Sequence, residues 1–221
     1  MRLHKFLLAA IAILSLAATA NADVVEFDFE TDDAQNPAFA AALDAAPFTG
    51  TQNGITFAAT AIQNGNAANP NGTTSGTGVG NGFIDNNEVL TLTVTFDPAD
   101  FEKVQFNEID LGNIDSLAAG GAIVTLTDGT SLTFGDDAVA PAGFEFTNGT
   151  PDEIRLDPDS PAVIDITSGQ TFTFETNGSG SFRLQRLSLH LTPAETETVP
   201  EPSSLALLGL LGGVVGIRRR R

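Results

Sequence analysis

A two-residue alternation of apolar and polar side chains is the sequence feature that most constrains this fold. In residues 90–96 leucine, valine and phenylalanine alternate with threonine, and in residues 25–30 valine and phenylalanine alternate with acidic residues. Successive side chains of a strand point to opposite faces, so this pattern indicates half-buried strands. Shorter runs of the same kind recur along the chain. We therefore expect an all-β domain, an antiparallel β-sandwich of jelly-roll type.

Two of these runs change the face of their apolar positions part-way along. Within residues 103–111 the inward positions change after Phe106, and an extra residue near Asn107–Glu108 would produce this change as a β-bulge. The run over residues 181–191 changes face in the same way. The sequence therefore predicts two long strands that each carry an irregularity.

Turn and loop residues separate the runs. Asn-Gly pairs recur, and Asp128-Gly129 lies between two apolar runs, which predicts a hairpin. Residues 39–46 predict one short helix. Residues 64–82 are rich in Gly, Asn and Thr, and their composition predicts a long surface loop. Residues 164 and 166 predict a further short strand.

The N-terminus has the form of an export signal. Residues 1–22 combine a positively charged start, an apolar stretch and the small residues Ala20 and Ala22 of an A-x-A cleavage site. This pattern is typical of a secretory signal peptide. Cleavage would make Asp23 the first residue of the mature protein, and the expected partners are the Sec translocon and signal peptidase.

The C-terminus consists of three segments in a fixed order. They are the tetrapeptide Val199, Pro200, Glu201 and Pro202, an apolar stretch over residues 203–217, and a final cluster of Arg218, Arg219, Arg220 and Arg221. A helix over residues 203–217 would be about 22 Å long, shorter than a hydrocarbon core of about 30 Å. It suits a temporary hold in the membrane better than a lasting span. The arginines favour a cytoplasmic C-terminus, which puts the preceding domain outside.

This order of segments resembles the sorting tail of the PEP-CTERM family, exported bacterial proteins processed by the membrane protease/transpeptidase exosortase. The same tail has also been labelled an ice-binding protein C-terminal domain. The resemblance covers about a tenth of the chain. It implies recognition at residues 199–202, a membrane stop at residues 218–221 and removal of the tail near the tetrapeptide. It also implies exosortase as a partner, transient contact with the inner membrane, a final location at the cell surface or outside the cell, and a link to exopolysaccharide or biofilm.

The two end signals divide the chain into four parts. After the signal peptide at 1–22 we expect a sandwich domain at 23–192, a linker at 193–198 and the sorting tail at 199–221. Residues 23–198 contain 27 acidic residues against four basic ones, hence a net charge of −23. Such a surface repels nucleic acid, which we exclude as a partner. The chain has no cysteine, tryptophan or tyrosine, so it has neither a thiol nucleophile nor the usual aromatic platform for sugars.

The candidate chemistry is sparse, and we expect a protein that is not an enzyme. His190 is the single histidine after the signal peptide, its strand parity faces it to solvent, and no G-x-S-x-G motif accompanies it. A paired-carboxylate hydrolase remains an alternative, because carboxylates are abundant.

A second alternative is a calcium-dependent carbohydrate-binding module. Oxygen-bearing side chains suit calcium, and the candidate ligands are Asp85, Asn87 and Glu88, which precede a predicted strand. Further candidates are Asp157 with Asp159 and the acidic face of the first strand, formed by Glu26, Asp28 and Glu30.

Overall fold

The computed structural model describes residues 22–31, 37–114, 121–135, 139–147, 152–157, 159, 163–178 and 180–194. The predicted signal peptide up to residue 21, most of the predicted linker and the whole predicted sorting tail lie outside these ranges. The described part of the chain forms fourteen strands and one helix. In chain order they are β1 Asp23–Asp28, α1 Pro37–Asp44, β2 Thr49–Gln52, β3 Ile55–Gln63, β4 Asn66–Ala68, β5 Pro70–Thr73, β6 Gly76–Val79, β7 Glu88–Thr95, β8 Phe101–Gly112, β9 Ala122–Thr125, β10 Ser131–Phe134, β11 Phe144–Phe146, β12 Glu153–Leu156, β13 Thr171–Thr176 and β14 Arg183–Pro193.

The strands form two antiparallel sheets of seven strands each. The first sheet has the order β11-β12-β8-β14-β6-β5, and β1 also pairs with β14. The second has the order β10-β9-β13-β7-β3-β2, and β4 also pairs with β3. Alternate residues of both sheets are buried in one shared apolar core, as expected when two sheets pack face to face. The predicted all-β antiparallel sandwich is confirmed.

Four phenylalanines fix the helix to the sandwich. They are Phe27 from β1, Phe29 just after it, Phe39 from α1 and Phe57 from β3, and all are at most 2% exposed. Their ring centroids lie 4.8 to 6.1 Å apart in tilted and edge-on arrangements. Such geometry is favourable for aromatic pairs, so this cluster holds the short helix against one end of the core.

The predicted change of face is confirmed in both long strands of the first sheet. On β8, Glu108 faces Ser188 and Phe106 faces Leu189, so Asn107 is the extra residue. On β14, Leu184 and Arg186 face consecutive residues of β8, so Gln185 is the extra residue. Because one inserted residue reverses the parity of a strand, apolar side chains point inward on both sides of each bulge.

The hairpin and helix predictions also agree with the structure. Strands β9 and β10 pair across Asp128-Gly129, and Gly129 has a φ of 89°. The helix begins at Pro37 and ends at Asp44, two residues earlier at each end than the sequence pattern indicates. Ile164 and Ile166 are buried, but they flank a single bridge between Asp165 and Gln105 and not a full strand.

The prediction of a long surface loop over residues 64–82 is wrong. This segment forms β4, β5 and β6, and all four residues of β6 are buried. The reason is the lack of side chains: a Cβ on Gly78 would lie 2.5 to 2.6 Å from the backbone of Gly82 and Phe83. Glycine here permits close backbone packing and does not mark a flexible loop.

Candidate functional site

The folded domain ends just before the predicted recognition tetrapeptide. Strand β14 continues to Pro193, which faces Phe101, and the Ala194 N–H donates a 3.0 Å hydrogen bond to the carbonyl of Asp100. Four residues, 195–198, then separate Ala194 from the tetrapeptide. Because an extended residue spans at most about 3.5 Å, Val199 lies within about 18 Å of Ala194. Any enzyme that acts at the tetrapeptide therefore works close to the sandwich.

The two ends of the domain lie side by side. Strand β1 begins at Asp23, the residue after the predicted signal cleavage site, and Asp23 faces Leu191 of β14. Ala22 is exposed. Ala20 and the segments at 199–202 and 218–221 lie outside the described residues, so their predicted roles stay predictions. Within the described ranges, which leave out the predicted tail, no helix is long and apolar enough to cross a membrane.

The outer face of the first sheet carries a row of four charged residues on neighbouring strands. In order across the sheet they are Asp28 on β1, Arg186 on β14, Asp110 on β8 and Glu153 on β12. Burial alone would lower the pKa of Arg186, but the surrounding carboxylates, Asp110 above all, outweigh it and raise that pKa. Burial raises the pKa of Asp110 to about 6, and the nearby Arg186 guanidinium only partly opposes this.

A second row lies next to the first and contains the most perturbed carboxyl group. Glu108 on β8 faces Ser188 on one side and Arg155 on the other, and Arg155 forms a 2.5 Å ion pair with Glu145. Burial raises the pKa of Glu108 to about 7, helped by a hydrogen bond and repulsion from Glu153. Below about pH 7 Glu108 therefore keeps its proton and can donate it in the hydrogen bond to Glu153. Sequence reasoning missed this cluster, because its members come from four separate strands.

The predicted calcium ligands lie in the turn that leads into β7 and at the first residue of that strand, and they hold the turn together. Glu88 is 4% exposed, and its two carboxylate oxygens accept hydrogen bonds from Gln63 Nε2 (2.5 Å) and from the Asp85 N–H (2.8 Å). Asp85 also accepts a bond from Asn81. Asn87 is exposed and has a φ of 63°. The structure thus brings Asp85 and Glu88 together, and calcium binding at this turn stays a prediction.

The other sequence candidates are dispersed. Asp157 accepts a hydrogen bond from the Asp159 N–H, which makes a local turn. His190 is half-buried between Val24 and Gln105 and not fully open to solvent. Across the described ranges, no three His, Cys, Asp or Glu side chains converge in a way that could hold a metal ion.

Comparison with known proteins identifies the C-terminal segment. The model of the PEP-CTERM protein-sorting motif matches residues 198–221. No curated protein and no solved structure matches the chain. The molecule is therefore an antiparallel β-sandwich joined to a sorting signal. The signal is the PEP-CTERM motif, as the order of its segments predicts, and it implies exosortase as the processing partner and export to the cell envelope or surface.

Proposed function

We propose that this chain is an exported, non-catalytic protein of the cell surface or extracellular matrix. Its signal peptide directs it through the Sec translocon, the helix at 203–217 holds it briefly in the inner membrane, and exosortase removes the tail near residues 199–202. The observation that carries the proposal is the sorting motif at residues 198–221, which begins four residues after Ala194, whose N–H bonds to the carbonyl of Asp100. The sandwich, with jelly-roll connectivity, is the delivered cargo and acts in an exopolysaccharide or biofilm matrix.

The arrangement of the carboxyl groups on the outer face of the first sheet supports a non-catalytic role over a glycoside hydrolase. Glu108 and Glu153 hydrogen-bond directly to each other, whereas glycosidase carboxyl groups stand about 5 Å or more apart so that the sugar carbon or a water fits between them. Their nearest strand neighbours are Arg155 and Asp110 on the same open sheet face. His190 faces Val24 and Gln105, neither of which is a nucleophile.

Mass spectrometry of the surface-located protein tests the processing step. In a host with an exosortase, the mature chain is expected to begin at Asp23 and to lack Arg221. Replacing Pro200 and Pro202 by Ala is expected to leave the full tail in place and the protein in the membrane fraction, whereas the linker variant Thr196→Ala, which lies outside the matched motif, is processed normally. Surface protein that still ends in Arg221 would overturn the proposal.

The matrix role needs a separate measurement. Deleting the gene is expected to reduce the biofilm or exopolysaccharide that the cells retain, and the wild-type gene restores it. In a second variant, Glu108 is replaced by Gln and Asp110 by Asn, which removes two charges from the outer face of the first sheet. This variant is expected to restore the retained matrix as well if the protein acts as structural cargo. Unchanged matrix after deletion would contradict the role.

A further inference from the structure

A polar cavity of about 710 Å³ lies at the end of helix α1, against strands β3, β4 and β5. We call it the helix-end cavity and define it by Asp44, Phe48, Gln63, Asn69 and Asn71 in its wall. The volume falls within the range of about 300 to 1,000 Å³ that small-molecule sites occupy. None of these residues belongs to the sorting signal or to the two charged rows on the outer face of the first sheet.

Asp44 is placed in the cavity wall at a cost to stability. It is the last residue of α1, where the helix dipole disfavours a negative charge. Burial raises the pKa of its carboxyl group, while a hydrogen bond from the Gly72 N–H partly lowers it. Its Oδ1 is buried and has no hydrogen-bond partner in the part of the chain that the structure describes. No donor among the described residues satisfies this oxygen, and its burial keeps solvent from doing so, so the carboxylate is held in the wall at a cost.

The backbone around Asp44 is shaped to admit this carboxylate. Gly72 lies directly beneath it, and a Cβ at that position would overlap both carboxylate oxygens. Phe48, which also lines the cavity, has a φ of 57°, a left-handed conformation that bulky side chains rarely adopt. Strained residues of this kind concentrate at binding sites. The close approach and the strained phenylalanine lie in the wall of the same cavity.

The remaining wall offers both hydrogen-bonding groups and an apolar surface. Asn71 donates through Nδ2 to the carbonyl of Gly80 (2.6 Å), and Gln63 donates through Nε2 to Glu88. In each amide the bond leaves the carbonyl oxygen as an acceptor. Asn69 is exposed and brings a complete amide. Phe48 is half-buried and adds a ring.

This set of groups selects a ligand class. The Asp44 carboxylate in the wall favours a hydroxyl or ammonium donor, and the amides both donate and accept. The domain charge of −23 disfavours an anion. A bare metal ion would need several converging oxygens, and the described residues contain no such cluster of acids or histidines. A pyranose ring meets every requirement, because its hydroxyls donate and accept and its C–H face is apolar.

We propose that the helix-end cavity binds a neutral pyranose residue of a polysaccharide. Sugar hydroxyls donate to Asp44 and exchange hydrogen bonds with Gln63, Asn69 and Asn71, while the C–H face of the ring packs on Phe48. The assignment rests on the proposed matrix role, since it supplies the contact by which the delivered sandwich would hold exopolysaccharide. It requires neither tryptophan nor tyrosine, because polar side chains make most of the contacts.

Titration calorimetry on the purified mature protein tests the site. The probes are neutral glucose, galactose and mannose oligosaccharides, with an acidic uronic acid oligosaccharide and calcium chloride alone as comparisons. We expect binding of at least one neutral probe, a tenfold or greater loss in Asp44→Ala and a several-fold loss in Asn69→Ala. The matched variant Asp100→Ala, at an exposed aspartate that is not in the cavity wall, is expected to bind like the wild type.

The outcomes separate this proposal from the one before it. Asn69→Ala changes an exposed side chain, so a loss of binding there is not a folding defect, and circular dichroism confirms the fold of each variant. No binding of any neutral probe, binding of calcium alone at this cavity, or sugar binding unchanged in both cavity variants would each overturn the site. Normal tail removal without sugar binding refutes only the cavity proposal, and sugar binding with an uncleaved tail refutes only the sorting proposal.

Discussion

Replacing Glu108 by Gln should stabilise the protein at alkaline pH, although the change removes a charged group from an acidic surface. In the folded protein the pKa of Glu108 is raised from its ordinary 4.5 to about 7, first by burial and then by its hydrogen bond to and repulsion from Glu153. Glutamine is isosteric, stays neutral at every pH, and keeps an N–H that donates to the Glu153 carboxylate. It therefore preserves the contact and removes the cost of ionisation.

The sign of the pH dependence follows from the direction of the shift. Below pH 4.5 Glu108 is protonated in both the folded and the unfolded chain, and its contribution to stability is fully present. Between pH 4.5 and about 7 the unfolded chain releases this proton while the folded chain retains it, so stability falls as pH rises. Above pH 7 the loss is complete. The advantage of the variant over the wild type should therefore grow across this window.

The magnitude is modest because the side chain is half-exposed. One pKa unit corresponds to about 1.4 kcal/mol, which would give about 3 kcal/mol for a shift from 4.5 to about 7. Screening by solvent reduces the expected gain to about 1 kcal/mol at pH 8. With a urea m value of about 2 kcal/mol/M, the unfolding midpoint of Glu108→Gln should lie about 0.5 M above that of the wild type.

Urea unfolding at pH 4, 6 and 8 measures this gain. Far-ultraviolet circular dichroism is the suitable signal, because the chain has neither tryptophan nor tyrosine for fluorescence. Glu102→Gln is the matched control: Glu102 lies on the same strand and is exposed, so its midpoint should change little at any pH. The reasoning is refuted if Glu108→Gln has a midpoint at or below that of the wild type at pH 8, or if its advantage is as large at pH 4.

Three further predictions concern other parts of the structure. Phe57→Ala should lower the free energy of unfolding by about 3 to 5 kcal/mol, because it removes a fully buried ring from the four-phenylalanine cluster. The exposed control Val139→Ala should change the free energy of unfolding by less than about 0.5 kcal/mol. Equal effects of the two variants in thermal melts would contradict the described packing of Phe57. Gly78→Ala should lower the free energy of unfolding by about 1 to 3 kcal/mol, because the new Cβ would meet the Phe83 backbone at 2.5 Å. If the variant unfolds at the same midpoint as the wild type, β6 is packed less closely than described. Millimolar calcium should leave the melting temperature unchanged, because both oxygens of Glu88 already accept protein hydrogen bonds; a rise that disappears in Asp85→Ala would instead establish a calcium site in that turn.

The strands and their bulges could be predicted because the necessary information is local. Burial on one face of a sheet imposes a two-residue period on the sequence, and a shift in that period reports an extra residue. The change of face after Phe106 therefore predicted a bulge near Asn107–Glu108 without any knowledge of the partner strand, and the observed pairing puts it at Asn107. The turn at Asp128-Gly129 is local in the same sense, since the turn residues determine the hairpin.

The glycine-rich segment could not be predicted because its role is set by distant backbone. Gly78 is required where Phe83 and Gly82 approach it, but in sequence the same glycines look like a flexible loop. Composition alone does not distinguish glycine that permits close packing from glycine that permits motion.

The charged rows and the helix-end cavity escaped prediction for a related reason. Glu108 has a raised pKa because β12 brings Glu153 beside it, and no spacing rule in the sequence pairs those two strands. Asp44 is one aspartate among many until α1 places it over Gly72. The sorting motif, by contrast, is one contiguous segment, and its order alone was sufficient for the sequence to predict it.

The pairing of β1 with β14 has a consequence for the timing of export. The first strand of the mature domain finds its partner only in the last strand, so contacts such as Asp23 with Leu191 span nearly the whole domain. Strand β14 also supplies the pairing edge for β8 and β6, and contacts of such long sequence separation form slowly. If the chain passes through the Sec translocon as we propose, the first sheet stays incomplete until residue 193 has crossed, when only residues 194–221 remain behind it. Folding of the cargo and arrival of its tail at the membrane are in this way nearly simultaneous events.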